Sequence, residues 1–133
     1  MAAILILEDD FDLAAAWKRT LIDYGHKPEL CHTSSEAIAL DEAEEFEVFV
    51  VDLMITVDVP DMSDSGVTFL RHLVKKHPDL RQRPPVIGVS GFKPLGTASP
   101  VGEFFKAYGV QHFMLKPFSA TDLAATVYEV LAD

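Results

Sequence analysis

The chain has 133 residues, 49% of them hydrophobic and 24% charged, which suits one folded domain with a real core and excludes a disordered chain. Twenty-one acidic against eleven basic side chains give a formal net charge of −10, so nucleic-acid binding, which needs a basic footprint, is disfavoured; proteins or a cation are the expected partners. No apolar run approaches the length of a membrane span, the N-terminus lacks the basic start of a secretory signal, and the single cysteine, Cys31, suits a reducing cytoplasmic setting.

Ala3–Leu7 reads as a first buried strand that runs straight into Glu8, Asp9 and Asp10. Leu13, Trp17, Leu21 and Tyr24 then recur at helical spacing, with Asp12 available near the start and Gly25 as a stop. Residues 28–32 form a weak second strand. Thr33 and Glu36 are spaced as a capping box ahead of Ala37, Leu40 and Ala43, which marks a second helix. Residues 46–54, Phe-Glu-Val-Phe-Val-Val-Asp-Leu-Met, make a near-continuous apolar run interrupted at Asp52, the pattern of a strand buried on both faces. The acidic, Pro-containing segment up to Ser65 shows no period and reads as a long loop. From Gly66, the set Phe69, Leu70, Leu73 and Val74 gives a third helix ending near His77 and Pro78. Residues 86–89 are a fourth strand followed by Ser90 and Gly91. Ser99 and Pro100 open a brief fourth helix over residues 101–108, closed by Gly109. Val110–Leu115 is the fifth strand, leading into Lys116 and Pro117. Ser119 and Asp122 start a last helix that carries Leu123, Val127, Val130 and Leu131.

Five strands alternating with five helices predict an α/β fold, a doubly wound five-stranded parallel sheet in a single domain. In such sheets ligands bind outside the carboxyl ends of the strands. Four of those ends carry polar groups: Glu8, Asp9 and Asp10; Asp52; Ser90; and Lys116. Taken alone, Asp52 is equally a turn residue, Lys116 a solvated charge and Ser90 a turn former. Together they describe a site. Several carboxylates in one crevice repel one another unless a cation shares them, and a hard divalent ion, Mg²⁺, suits oxygen ligands. Such an ion beside a fixed lysine charge and a hydroxyl donor is the equipment for handling a phosphoryl group, leaving Asp52 as the nucleophile.

The acidic pair after Ile-Leu-Ile-Leu, the Val-Val-Asp-Leu strand end, Val-Ser-Gly after the fourth strand and Leu-Lys-Pro-Phe at positions 115–118 form an ordered set. In these the chain resembles the receiver domain of two-component response regulators, a flavodoxin-like fold, over essentially its whole length, residues 1–133. The resemblance implies that Asp52 accepts a phosphoryl group with Mg²⁺, from a sensor histidine kinase or a histidine phosphotransfer protein. The domain would then catalyse its own phosphorylation and dephosphorylation rather than act as a separate enzyme. It implies metal ligation by Glu8, Asp9, Asp52 and the backbone carbonyl of Met54, with Asp10 a neighbour, and a cis Lys116–Pro117 bond. Ser90 and Phe113 would form the switch that carries the charge event to a surface. Phe113 also has a plain reading as a core residue of the fifth strand. No output domain is visible after the last helix: if the chain is the entire protein, the output would be a protein target docked on the fourth helix, fifth strand and fifth helix, and otherwise an effector could follow; neither nucleic acid nor membrane is an expected partner. Apolar Met54 and Phe92 beside the site imply slow access of water to the phosphoryl group. Two rivals stand beside this reading. One is a receiver-like module that works without phosphorylation. The other is a phosphohydrolase of the haloacid dehalogenase type, disfavoured because Met54 stands where that family has a second Asp.

Overall fold

Alternation along the strands decides the layering. In Ala3–Leu7 (β1), Ile4 and Ile6 face one side of the sheet while Leu5 and Leu7 face the other, all four fully buried. Val48–Asp52 (β3) repeats the pattern, with Val48 and Val50 against Phe49 and Val51. With Lys27–Cys31 (β2), Val86–Ser90 (β4) and Val110–Leu115 (β5), these strands form one sheet of order β2-β1-β3-β4-β5 in which every neighbouring pair is parallel. This is the doubly wound, flavodoxin-like order, and the chain reverses direction across the sheet between β1 and β3. The structure, a computed structural model, describes residues 2–53, 66–91 and 105–132.

Phe11–Asp23 (α1) and Ala120–Ala132 (α5) cover the Ile4 side, where Trp17, Leu21, Leu123, Val127 and Val130 close the core. Ser34–Ala43 (α2) and Gly66–Lys76 (α3), with the helical residues 105–107 (α4), cover the Leu5 side through Ala37, Phe69, Leu70, Leu73 and Phe105. None of the described helices is long and apolar enough to cross a membrane. A buried carboxylate, Asp41, ties α2 to α3: it lies 2.8 Å from His72 Nε2 and accepts from Lys76 Nζ at 3.0 Å.

Several boundaries differ from the pattern reading. The cap of α1 is Asp10, whose Oδ1 accepts from Leu13 N at 3.0 Å; Asp12 lies inside the first turn. Tyr24 is the C-cap of α1 and is exposed, so only Trp17 and Leu21 of the large residues in that set are fully buried. β3 begins at Val48 rather than at Phe46, and Leu131 points off the buried face of α5. The Thr33 capping box is present, with Oγ1 accepting from Glu36 N at 3.2 Å. The box at Ser119 closes reciprocally, Asp122 N donating to Ser119 Oγ at 3.0 Å and Ser119 N to Asp122 Oδ2 at 3.3 Å. Gly25 and Gly109 end their helices with φ of 89° and 92°, a conformation that penalises any side chain. The long loop after Asp52 and the opening of the fourth helix at Ser99 and Pro100 fall on residues 54–65 and 92–104, outside the described residues.

Cys31 is buried in the Leu5 layer, and burial, reinforced by Glu36 and Glu29, pushes its thiol up to about 12. A thiol held neutral and inaccessible is a poor nucleophile. Iodoacetamide at about pH 8, below the ordinary thiol pKa of about 8.5, is therefore expected to leave the native protein unlabelled and to label Cys31 fully in denaturant, read by intact mass.

Candidate functional site

Glu8 follows the last residue of β1, and its side chain is fully buried at the sheet's carboxyl edge. Its backbone is held from both sides of the chain: Glu8 N donates to Cys31 O at 3.0 Å, and His32 Nδ1 lies 2.8 Å from Glu8 O. A carbonyl can only accept, so Nδ1 carries the proton. Its side chain is oriented by Asp10 N, which donates to Oε2 at 3.1 Å. Asp10 thus serves α1 through its carboxylate and Glu8 through its amide. Asp52, the last residue of β3, is 3% exposed, and Asp9 is the more open neighbour. One carboxylate oxygen from each of Glu8, Asp9 and Asp52 lies within 4.8 Å of the others.

Lys116 joins this cluster from the end of β5. Its backbone N donates to Ser90 O at 2.8 Å, which fixes where the side chain starts. Its Nζ lies 2.6 Å from Glu8 Oε1 and 3.3 Å from Asp52 Oδ2, bridging the two buried carboxylates. The Lys116–Pro117 bond is cis. Partial burial works against the ammonium charge, but the contact with Glu8 and the field of Asp52 outweigh it, so Lys116 titrates above its ordinary value. Although Lys116 is close, Glu8 Oε1 has no well-directed hydrogen-bond partner among the described residues. A buried carboxylate oxygen in that condition, beside two more carboxylates, has the donor chemistry of a hard-cation site.

Ser90 is buried at the end of β4, level with Leu115 across the strand pair, while Asp52 is level with Val89. Phe113 is level with Gly88 and packs, half-buried, on the Leu5 layer. Met54 and Phe92 lie outside the described residues. Asp10, kept as a neighbour of the acidic pair, is the cap of α1 and is not part of the three-carboxylate cluster.

Two residues of the site escaped the pattern reading. His32 lies directly after β2, at the same sheet edge as the other polar ends, and its position was the available signal. Its ring packs against Phe11, tilted by 32° at a centroid distance of 3.8 Å. Gly66 opens α3 so close to β3 that a Cβ there would lie 2.5 Å from the Asp52 carbonyl oxygen and 3.0 Å from Leu53 Cα. No local pattern announces that approach, because it depends on where α3 docks.

Strand order and the acidic edge of the sheet define a small doubly wound domain with a carboxylate and lysine site at the switch point. Solved structures share this architecture over nearly all of the chain. Chemotaxis protein CheY4 of Vibrio cholerae superposes with a TM-score of 0.78 at 24% identity, covering 98% of each chain. The receiver domain of the Francisella response regulator 1452 gives 0.76 at 22% identity, covering 99% of this chain and 98% of that one. The family model of the response regulator receiver domain matches residues 4–128. The chain is also 33% identical over 130 residues to the sensor kinase CckA of Brucella abortus; this covers 98% of the chain but only 12% of that protein's length. The chain belongs to the response regulator receiver domain family of two-component signalling.

Proposed function

We propose that the domain accepts a phosphoryl group on Asp52 from a histidine kinase or a histidine phosphotransfer protein. The observation that carries this reading is the Lys116 ammonium set between the buried carboxylates of Glu8 and Asp52, with Asp9 alongside. Glu8, Asp9, Asp52 and the Met54 carbonyl would hold Mg²⁺, which supplies positive charge where phosphoryl oxygens develop it. An Asp52 oxygen attacks phosphorus, the bond to the donor imidazole breaks, and that nitrogen leaves with the electron pair. Lys116 offers a fixed cation to the transferred group, and Ser90 a hydroxyl at the end of the neighbouring strand. Ser90 and Phe113, two residues apart in register on β4 and β5, form the switch that passes the change to the α4, β5 and α5 face, where a downstream protein docks. This is one cytoplasmic receiver domain over residues 1–133, with no nucleic-acid or membrane partner. Membership of the family and the negative charge of −10 support it.

The test is to incubate the protein with Mg²⁺ and acetyl phosphate and read intact mass. One added phosphate is expected on the wild type and none on Asp52→Asn. A wild type that takes up nothing sinks the reading in favour of a receiver-like module that works without phosphorylation. His32 enters as a positioning residue, since it holds the Glu8 backbone. Outer partners of metal ligands typically matter by tenfold or more, so His32→Ala is expected to weaken Mg²⁺ binding roughly tenfold. His32→Asn, which keeps an N–H near the Nδ1 position, should recover most of it. Calorimetric titration that finds both variants equal to the wild type would remove His32 from the site.

A further inference from the structure

Charge is segregated along this chain. Residues 1–53 carry 13 of the 21 acids and 3 of the 11 basic residues, a net charge of −10 by themselves. Five of the 11 basic residues, Arg71, Lys75, Lys76, Arg81 and Arg83, fall within 13 residues that contain a single acid, Asp79. Arg71, Lys75 and Lys76 belong to α3, where Lys76 pairs with Asp41 of α2, while Arg81 and Arg83 lie in the segment that leads into β4, toward the sheet edge away from β2. Beside that segment lies a cleft of about 230 Å³ at the amino ends of β4 and β5, the end of the sheet away from Asp52. Leu80, Pro84, Pro85 and Val130 give the cleft apolar surface, and Arg81, Arg83, Gln111 and His112 give it donors; among the described residues no carboxylate lines it.

The two arginines differ. Arg83 is built in: Nε and Nη2 donate to His77 O at 3.0 and 2.8 Å, and Nη1 to Tyr108 O at 3.3 Å. Its guanidinium lies over the turn at Gly109, where a Cβ would come 2.6 Å from Nη1. Arg81 is 90% exposed and only loosely held by Asp79, at 3.5 Å, so it can swing to a ligand. Leu80 beside it is 47% exposed, an apolar residue left open at the mouth.

We propose that this cleft docks an acidic peptide segment of a partner protein. An apolar side chain of that segment sits on Leu80, Pro84, Pro85 and Val130, and its carboxylates meet Arg81, Arg83 and the donors of His112 and Gln111. Charge complementarity selects the occupant. A fixed guanidinium suits a carboxylate, and the apolar patch asks for more than a bare anion. Nucleic acid fits worse, because a short basic patch on a chain of net charge −10 lacks the continuous footprint a phosphate backbone needs. The cleft lies at the end of the sheet away from Asp52, and the unphosphorylated protein already presents it.

The experiment is a backbone-amide NMR titration of the unphosphorylated full chain at low salt. The probe is the capped peptide Glu-Glu-Leu-Glu-Glu; the control is Gln-Gln-Leu-Gln-Gln. The Glu peptide is expected to shift the amides of Arg81, Arg83, Gly109, Gln111 and His112 in a saturable way that weakens as salt is added. The Gln peptide should shift them several-fold less, and the double variant Arg81→Gln/His112→Gln, which leaves the Arg83 anchor intact, should lose most of the response. Equal response to both peptides, shifts centred elsewhere, or none at millimolar peptide would each overturn the proposal. So would inorganic phosphate or a short DNA duplex producing the same shifts as strongly as the Glu peptide. None of these readouts depends on acyl phosphate formation, so failure here leaves the reading of Asp52 untouched.

Discussion

Lys116→Met is expected to abolish net phosphorylation by acetyl phosphate, to a loss of at least about a hundredfold, while tightening Mg²⁺ binding roughly tenfold. The opposite signs follow from geometry. Lys116 Nζ sits 2.6 Å from Glu8 and 3.3 Å from Asp52, so it competes with any cation for those carboxylates and yet supplies a charge that an incoming phosphoryl group needs. At an effective dielectric near 20, one charge removed from about 4 Å alters a neighbouring cation's energy by about 4 kcal/mol before solvent responds. A tenfold gain in affinity, about 1.4 kcal/mol, is a discounted share of that, because Lys116 retains 25% exposure and water screens it. Calorimetry with Mg²⁺ and intact mass after acetyl phosphate check the two halves separately. A variant with weaker Mg²⁺ binding would show that the lysine orders the carboxylates rather than competing for them. The same lysine shapes alkaline stability. Its pKa is raised on folding, so its contribution is complete below the unfolded value of about 10.4 and is lost as pH rises through the higher folded value. Lys116→Met should flatten that alkaline decline in urea midpoints.

Gly66→Ala should destabilise the domain by about 2 kcal/mol and Gly66→Val by more, measured by urea denaturation. Glycine to alanine in a helix ordinarily gains up to about 1 kcal/mol, so the expected sign is reversed. The reversal comes from the 2.5 Å approach of a Cβ to the Asp52 carbonyl and 3.0 Å to Leu53 Cα, both backbone atoms that cannot swing aside. α3 would have to back away from β3, opening the layer built on Phe69, Leu70 and Leu73. Gly91→Ala is the control: nothing lies within 4 Å of its Cβ position and its φ is not positive, so a change within about 0.5 kcal/mol is expected. If Gly66→Ala proved as harmless as Gly91→Ala, the close seating of α3 on the end of β3 would be wrong.

Much of the fold was legible because local and global preferences agree. β1, β3 and β4 are short apolar runs buried on both faces, and the capping boxes at Thr33 and Ser119 mark helix starts through contacts that span three residues. Such signals lie within one turn of chain. The misplacements were of the same local scale but had competing candidates: Asp10 rather than Asp12 caps α1, and Tyr24 matches the helical spacing yet ends the helix in solvent. Both depend on where the helix meets the sheet, which spacing does not contain.

Amino-acid order by itself determined that hydrophobic strands would end in Glu8, Asp52, Ser90 and Lys116, and that the basic residues would concentrate between Arg71 and Arg83. Only the tertiary structure decided what those ends do to one another. It set the lysine nitrogen between two buried carboxylates, gave Glu8 a backbone clamp from His32, brought Gly66 against the Asp52 carbonyl and folded Arg83 across Gly109 to wall a cleft. The physical reason is reach. Strand endings and charge runs are properties of neighbours in sequence, whereas these contacts join residues 14 to 108 positions apart and exist only once the parallel sheet has set their register.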